Sequence, residues 1–180
     1  MTKNKIPNEI SPKKDSDSEN SSTAESSGYA STAGSSGNYS TAGSSGYYST
    51  AGSSGNYSTA VSLGNYSTAG SSGNSSTAGS SGNYSTAGSS GYYSTAVSSG
   101  NYSTAGSSGD RSVASAKGKN SIAVCCGLNC KARGALGNAI ILQYKKEEGK
   151  VIPVMGIIGK KGLKENTFYK LNNKGKFVAI

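Results

Sequence analysis

Small and variable side chains alternate along most of this chain. Within a nine-residue unit best written Gly-Asn-Tyr-Ser-Thr-Ala-Gly-Ser-Ser, places four, six and eight hold Ser, Ala or another small residue. Places five and seven vary, from Thr and Gly to Val, Ile, Lys and Arg. A period of two is the side-chain alternation of a β-strand. Each unit therefore predicts a strand with one face of tiny residues, against which another layer packs closely.

The unit is repeated thirteen times between residues 19 and 135. Gly begins almost every unit, and the Gly-Asn or Gly-Tyr pair between strands is typical of a turn in which Gly adopts a positive φ. Strand and turn at a fixed period predict a parallel β-solenoid. Nine residues are too few to close a coil around an interior. We therefore expect either two repeats per coil, giving a β-roll of about six or seven turns, or three chains that share each layer.

The two ends of the chain follow other patterns. Residues 1–18 mix charges with Pro and predict a disordered leader. Residues 136–180 contain the large aliphatic side chains that the repeats lack, and they predict strands at 138–146 and 151–158 and a hairpin that joins 167–171 to 176–180. Pro153 indicates a sheet edge or a bulge. We expect this segment to be a small antiparallel β cap that covers the open end of an all-β solenoid.

The composition of the repeats also leaves an alternative. Between residues 19 and 110 the only large aliphatic residues are Val61, Leu63 and Val97, and Gly/Ser/Tyr-rich tracts of low complexity are typical of disorder. The alternative is a disordered tether that carries a basic C-terminal binding domain. The constancy of Ser at place four and Ala at place six favours the solenoid, because a disordered tract requires only a composition.

Charge is concentrated at the C-terminal end. The net charge is +9, and fourteen of the eighteen basic residues lie from Arg111 onward. An anionic partner is one interpretation, and solvated lysines on exposed strands are the other. Nucleic acid is disfavoured because no Arg-rich or aromatic-interleaved motif accompanies the charge. The lysines expected on the outer face of the cap, as a patch for an anionic partner, are Lys160, Lys161, Lys164, Lys174 and Lys176.

Tyrosines recur at the turns and predict rows of aromatic rings. The rows could bind a carbohydrate or a protein surface, or the rings could stack on one another and shield the turns. The tyrosines at place three, which form the candidate binding surface, are Tyr39, Tyr48, Tyr57, Tyr66, Tyr84, Tyr93 and Tyr102. Tyr29, Tyr47 and Tyr92 occupy place two. Thr at place five predicts an outward column, but ice binding is disfavoured because place seven is usually Gly instead of a second Thr.

No catalytic, cofactor-binding or metal-binding residue is predicted. The chain has no His, no phosphate-binding loop and no regularly placed Asp for calcium, so we expect a protein that is not an enzyme. Cys125, Cys126 and Cys130 are interpreted as small packing residues, with an inter-chain disulfide or a metal site across a trimer as alternatives. No apolar run reaches the roughly 18 residues of a membrane span, and no signal-peptide core is present near the N-terminus.

Two resemblances concern the later repeats. Ser112, Val113 and Ala114, followed by Asn120 to Val124, resemble the Asn-Ser-Val-Ala-Ile-Gly repeats in the heads of trimeric autotransporter adhesins. That resemblance implies a left-handed parallel β-roll that trimerises, with branched residues inside each roll. The stretch NSIAV…KARGALGNAIIL, followed by TFYKLNNKGKFVAI, resembles an uncharacterised bacterial and phage family of Ser/Ala/Gly nonapeptide-repeat proteins with a β-rich C-terminal piece.

These patterns together predict a non-enzymatic structural or adhesive rod. A phage fibre or a bacterial surface component is the expected setting, with self-association as a homotrimer or a filament.

Overall fold

The computed structural model of the protein describes residues 21–180, which form seventeen strands. The predicted leader, residues 1–18, lies outside the described residues. The strands of the repeats are β1 (Thr23–Ser27), β2 (Ala30–Ser36), β3 (Thr41–Ser45), β4 (Tyr48–Ser54), β5 (Thr59–Leu63), β6 (Thr68–Ser72), β7 (Thr77–Ser81), β8 (Thr86–Ser90), β9 (Thr95–Ser98), β10 (Thr104–Ser108), β11 (Val113–Ala116), β12 (Ile122–Cys125) and β13 (Lys131–Gly134). The C-terminal strands are β14 (Ala139–Lys145), β15 (Val151–Ile157), β16 (Tyr169–Leu171) and β17 (Phe177–Ala179). Residues 21–180 include no helix long and apolar enough to cross a membrane.

Odd and even strands of the repeats separate into two sheets. One sheet stacks β1, β3, β5, β7, β9, β11 and β13, and the other stacks β2 to β14 in the same alternating way. The pairings between repeat strands are parallel and join equivalent places two repeats apart, such as Thr23 with Thr41 and Thr50 with Thr68. One chain therefore closes each coil with two repeats, which confirms the parallel β-solenoid. Seven stacked strands in each sheet correspond to seven turns.

The interior between the sheets is filled by the smallest side chains. The alanines at place six, from Ala42 to Ala132, are at most 1% exposed. Places five and seven point outward, as at Thr86 and Gly88 on either side of the buried Ala87. The face of tiny residues that the period of two predicts is therefore the inner face of each strand, and the layer packed against it is the opposite sheet of the same coil.

Serines at places four and eight face each other across this interior. Ser40 Oγ lies 2.7 Å from Ser53 Oγ, and Ser49 Oγ lies 2.7 Å from Ser62 Oγ. The Ser53 hydroxyl also donates to the backbone carbonyl of Ser40 at 3.0 Å. A buried hydroxyl is costly unless it is hydrogen-bonded. In the described part of the chain, every buried side-chain nitrogen and oxygen has a partner, so the polar interior is fully paired.

The branched residues of the later repeats lie outside the roll. Ile122 is 40% exposed, and Val113 and Val124 are half-buried on the outer face. Ala123 is fully buried in the interior. The resemblance to adhesin heads implied branched residues inside, and that implication is wrong for this roll. In the repeats the two sheets lie so close together that the side chains between them are no larger than those of Ala, Ser and Cys.

At Asn138, where the repeats end, the parallel register shifts by one residue, so that equivalent positions are 17 residues apart and no longer 18. Asn138 follows Ser121 by 17 residues, and its Oδ1 accepts a hydrogen bond from the Ser121 amide at 3.0 Å. Its Nδ2 donates to the carbonyls of Ala116 and Gly118 at 3.0 and 2.7 Å. The larger amide thus takes the position that a hydroxyl occupies in the repeats.

Neighbouring residues accommodate this larger side chain. Gly134 provides the space, because a Cβ there would lie 2.9 Å from the Asn138 Cβ. Ile140 takes the next inner position, opposite Ala123 in the register, and it is fully buried. The interior therefore widens only where the repeat gives way to the C-terminal segment.

An antiparallel cap covers the C-terminal end of the roll. β15 pairs antiparallel with β14, and β16 pairs antiparallel with both β13 and β17. Both strands predicted at 138–146 and 151–158 are present, as is the predicted hairpin, with slightly shorter bounds. Pro153 lies on β15, the outermost strand of its sheet, in agreement with the predicted edge, where a missing amide donor is tolerated.

The inner alanines provide a stability prediction. Ala87→Leu forces a larger side chain between the sheets, and we expect it to lower the free energy of unfolding by about 1–3 kcal/mol or more. Thr86→Leu, which changes the outward neighbour, should stay within about 0.5 kcal/mol of the parent. Urea denaturation followed by circular dichroism measures both. Equal stability of the two variants would contradict this packing.

The glycine at place one of each unit provides a second prediction. Gly82 has φ +107°, and a Cβ there would lie 2.2 Å from the carbonyl oxygen of Gly64 in the preceding turn. Gly82→Ala should therefore destabilise the protein by about 1–3 kcal/mol. Gly88 is the matched control, because its Cβ would meet no atom within 4 Å. Gly88→Ala should be neutral or stabilising by about 0.5–1 kcal/mol in the same denaturation experiment.

Candidate functional site

Two rows of tyrosines lie on opposite edges of the roll. Turns two repeats apart stack, so alternate repeats place their tyrosines on alternate edges. The long row comprises Tyr29, Tyr47, Tyr48, Tyr66, Tyr84 and Tyr102. The short row comprises Tyr39, Tyr57, Tyr92 and Tyr93, and Ser75 interrupts it. The seven predicted surface tyrosines are all exposed, but the structure divides them between these two rows.

Rings of the long row stack along the axis of the roll. The ring centroids of Tyr66 and Tyr84 are 5.2 Å apart with an interplanar angle of 8°, and those of Tyr84 and Tyr102 are 5.2 Å apart at 9°. Tyr48 extends the stack, with its centroid 5.4 Å from that of Tyr66. Tyr47 packs edge-on against Tyr48 at 4.9 Å. A stacked pair between Tyr47 and the first tyrosine of the row, at 5.6 Å, makes the six rings continuous.

This arrangement leaves the edges of the inner rings in solvent and covers their faces. Tyr66 and Tyr84 are 45% and 53% exposed, yet both faces of each ring are packed against a neighbouring ring. A carbohydrate that stacks on an aromatic side chain requires an open ring face. The geometry therefore favours the interpretation in which the rings pack on one another and shield the turns.

The short row ends in a cluster around Arg111. The Tyr92 and Tyr93 rings meet edge-on with centroids 4.4 Å apart. The guanidinium carbon of Arg111 lies 5.5 Å from the Tyr92 centroid and 5.6 Å from the Tyr93 centroid, which is cation–π geometry. Arg111 also donates a hydrogen bond to the Tyr93 hydroxyl at 2.6 Å, and this bond lowers the pKa of the Tyr93 phenol. Arg111 therefore replaces a ring where the tyrosine row stops.

From Tyr57 onward, the backbone at place three adopts a left-handed conformation that the sequence did not predict. Tyr66 and Tyr84 have φ values of 54° and 57°. Non-glycine residues rarely adopt this region, at a cost of about 1–3 kcal/mol each. Asn tolerates it better, and the last repeats do carry Asn120 and Asn129 there, both with positive φ. Stacked aromatic pairs contribute about 0.5–1.5 kcal/mol, which is of the size needed to offset much of the backbone cost.

Asparagines at place two form a second ladder beside the rings. Asn56 Oδ1 accepts from the Asn74 amide at 3.2 Å, and Asn65 Oδ1 accepts from the Asn83 amide at 3.0 Å. Asp110 continues the pattern by accepting from the amide at the same place of the next turn at 2.7 Å. The sequence analysis interpreted Asn at place two only as a residue that favours a turn. The recurrence of Asn at that place was the available signal for a hydrogen bond between consecutive turns.

The other candidate residues lie apart from the rows. The five cap lysines are all exposed, in the loop after β15 and at the turn between β16 and β17. Cys125 and Cys130 are buried, whereas Cys126 is exposed. Within residues 21–180, no group of three or more His, Cys, Asp or Glu side chains is placed to hold a metal ion. The threonines at place five point outward in columns, as predicted.

No protein-family model, curated protein or solved structure matches this chain. The two family resemblances noted in the sequence therefore stay predictions.

A double-mutant cycle tests whether the rings stabilise the roll. Tyr66→Asn and Tyr84→Asn each remove a ring while keeping a residue that tolerates the left-handed backbone. We expect a coupling energy of about 0.5–1.5 kcal/mol between the two positions in urea denaturation. The control cycle combines Tyr66→Asn with Tyr93→Asn, whose rings lie on opposite edges, and its coupling should stay within about 0.5 kcal/mol. Equal coupling in both cycles would contradict a role for stacking.

Proposed function

We propose that this protein is a non-enzymatic structural rod that holds its C-terminal cap at a fixed distance from the other end of the roll. The observation that carries the proposal is the two-repeat register, which is uniform from β1 to β13. Seven turns at roughly 4.8 Å each make a rod of about 30 Å. A uniform stack of this kind transmits position along its axis, which is the property that a spacer or fibre segment requires.

The interior and the edges support the same proposal. Ala and paired Ser side chains occupy the space between the sheets, so the roll is solid along its length. The faces of the inner rings of the long row, Tyr66 and Tyr84, are occupied by other rings. Both features stabilise the rod.

The alternative, a disordered tether, requires disordered repeats, and the repeats from residue 21 onward form strands. Its other part, the basic C-terminal end, fits within the proposal. The cap is the end that we expect to contact a partner, since all five of its candidate lysines are exposed. A phage fibre and a bacterial surface component are settings in which such a rod would serve, and an adhesive role would belong to the cap.

Distance measurements between spin labels test the rod directly. Ser36 and Cys126 lie in one column of the roll, five turns apart, because each turn advances the register by two repeats. In the full chain carrying Ser36→Cys, Cys125→Ser and Cys130→Ser, electron–electron dipolar spectroscopy should give a narrow distribution at about 24 Å plus the label linkers. A flexible chain of that length would give a broad distribution with a mean of about 50 Å, which would overturn the proposal.

Two deletions provide matched controls. Removal of residues 73–90 deletes one complete turn and should shorten the separation by about 5 Å while both labels stay in one column. Removal of residues 73–81 deletes half a turn, so Cys126 should move to the opposite edge of the coil. A separation that does not respond to either deletion would show that the repeats do not set the distance.

A further inference from the structure

The N-terminal end of the roll presents two open strand edges. β1 pairs only with β3 and β2 only with β4, so each is the last strand of its sheet. Within residues 21–180, no strand lies against their outer edges. Ala24 and Ala33 of this first turn are 8% and 5% exposed, whereas Ala60 and Ala87 in the middle of the roll are fully buried. The interior is therefore incompletely covered at this end.

Backbone groups at this end point away from the roll. In later turns Thr41 and Thr86, both at place five, donate their amides to carbonyls of the preceding turn at 2.8 Å. Successive residues of a strand direct their backbone groups to opposite sides, so places five, seven and nine all face the preceding turn. In the first turn, no strand of the described chain precedes them. The residues concerned are Thr23, Glu25 and Ser27 on β1 and Thr32, Gly34 and Ser36 on β2.

The two open strands carry few of the features that protect a sheet edge. Protected edges commonly contain Lys, Pro or a charge that points inward. β1 and β2 contain neither Lys nor Pro, and their one charged residue, Glu25, points outward. At the other end of the roll, the edge strand β15 does carry a proline, Pro153. The N-terminal edges are therefore able to accept strands from another chain.

The long tyrosine row is open at the same end. Tyr29 begins the row, and its ring contacts are with Tyr47 and Tyr48 of the next turn. In the described chain no ring precedes it, and at 72% exposure it is the most exposed tyrosine of the row. One face of a stacked ring is therefore free for a further aromatic side chain.

We propose that a second copy of this chain binds here, head to head, about a twofold axis that lies between the two sheets and runs along the strands. Such an axis places β1 of each copy beside β2 of the other. The chain reverses direction between β1 and β2, so the new strand pairs are antiparallel. The axis keeps the tyrosine edge on one side, so that Tyr29 of each copy faces Tyr29 of the other and the two long rows join.

The register follows from a contact across the first turn. Ser22 Oγ lies 2.8 Å from Ser35 Oγ, so these two residues are level along the strands. The axis therefore sets Ser22 of one copy beside Ser35 of the other, and one residue further along it sets Thr23 opposite Gly34. Both of these residues direct their backbone groups out of the roll, so the opposed pair can exchange two hydrogen bonds.

Other residues of the two strands agree with this register. Glu25 comes opposite Thr32, again as a pair whose amides and carbonyls face each other. Ala24 comes opposite Ala33, which continues the column of small inner side chains through the junction and covers both alanines. Each copy supplies the same two strands, so the contact is self-complementary, as a twofold interface requires.

Charge favours self-association at this end over the other. From residue 21 to residue 109, Glu25 is the one charged side chain. Fourteen of the eighteen basic residues lie from Arg111 onward, so the head-to-head arrangement keeps the two positive ends far apart. Seven turns from each copy then make a rod of about 70 Å with a cap at each end.

Sedimentation velocity of the full-length protein tests the association. We expect a concentration-dependent equilibrium between a monomer and an extended dimer. A protein that stays monomeric at its highest soluble concentration, as it would if residues 1–20 occupied this end, would overturn the proposal. A trimer, which the resemblance to adhesin heads implies, would overturn it as well.

Substitutions at Thr32 test the register. Its proposed neighbour is Glu25 of the other copy, so Thr32→Glu sets like charges opposite each other at two symmetric places. We expect Thr32→Glu to raise the Kd of the dimer by about 2- to 30-fold, and Thr32→Lys to leave it unchanged or lower it. Thr86→Glu is the matched control, because it changes the same column three turns away, and its Kd should equal that of the parent. Equal Kd values for Thr32→Glu and Thr32→Lys would overturn the proposed pairing.

A single spin label tests the geometry of the dimer. Ser72 is exposed and lies two turns from Ser36 in one column. We use Ser72→Cys in a chain with Cys125→Ser, Cys126→Ser and Cys130→Ser, which restore the residue of the earlier repeats. Electron–electron dipolar spectroscopy should give about 25–30 Å between the copies plus the label linkers. Association through the caps would place the labels more than about 40 Å apart, and that distance would overturn the arrangement.

Unlabelled protein provides the control for this distance. Because each chain carries one label, the signal arises only between copies, and mixing with an excess of unlabelled protein should remove it. A signal that survives dilution would contradict a dimer of this kind. The measurement does not include the separation of two labels within one rod, so the rod and its dimerisation are tested separately.

Discussion

The close approach of two β-sheets is the constraint on which this structure depends. Only small side chains lie between them in the repeats: Ala occupies the centre of each strand, and Ser, with Cys in the last repeats, occupies most of the places beside it. Burial of such small side chains removes little apolar area from water. The cohesion of the roll must come mainly from its parallel backbone ladders and from hydroxyl pairs such as Ser40 with Ser53, which also keep the polar interior satisfied.

At each edge of the roll the chain must reverse direction in a tight turn, once in every half coil, and places one to three of the unit make this turn possible. Gly at place one accommodates the carbonyl of the preceding turn, as Gly82 does with Gly64. Asn at place two ties one turn to the next through its side-chain oxygen. From Tyr57 onward, Tyr at place three accepts an unfavourable backbone conformation, and tyrosines such as Tyr66 and Tyr84 stack on each other. Each device acts between consecutive turns, so the edges, like the interior, are stabilised by repetition.

The sequence predicted those parts of the fold that follow from local pattern. Alternation indicated the strands and their small face, the length of the unit limited the coil to two repeats of one chain or to three chains sharing each layer, and Pro153 indicated a sheet edge or a bulge. The sequence could not predict the features that depend on which turns stack on one another. Tyrosine has no preference for a left-handed backbone, so place three could not be assigned that conformation. The rows of rings were predicted, but the covered faces of the inner rings depend on which turns stack on one another. The outward position of Ile122 was missed because the family resemblance implied branched residues inside the roll.

The shift in register at Asn138 has a consequence for how such a chain finds its alignment. Successive turns of near-identical sequence can slide past one another by a whole coil and recover almost every contact, so the repeats alone define many nearly equivalent alignments. Asn138 needs the absence of a side chain at Gly134 and the carbonyls of Ala116 and Gly118, and this combination occurs once in the described part of the chain. The C-terminal end therefore fixes the register of the last coil, and the register of every other coil follows from it. Without Asn138, several alignments of the repeats would have nearly the same free energy.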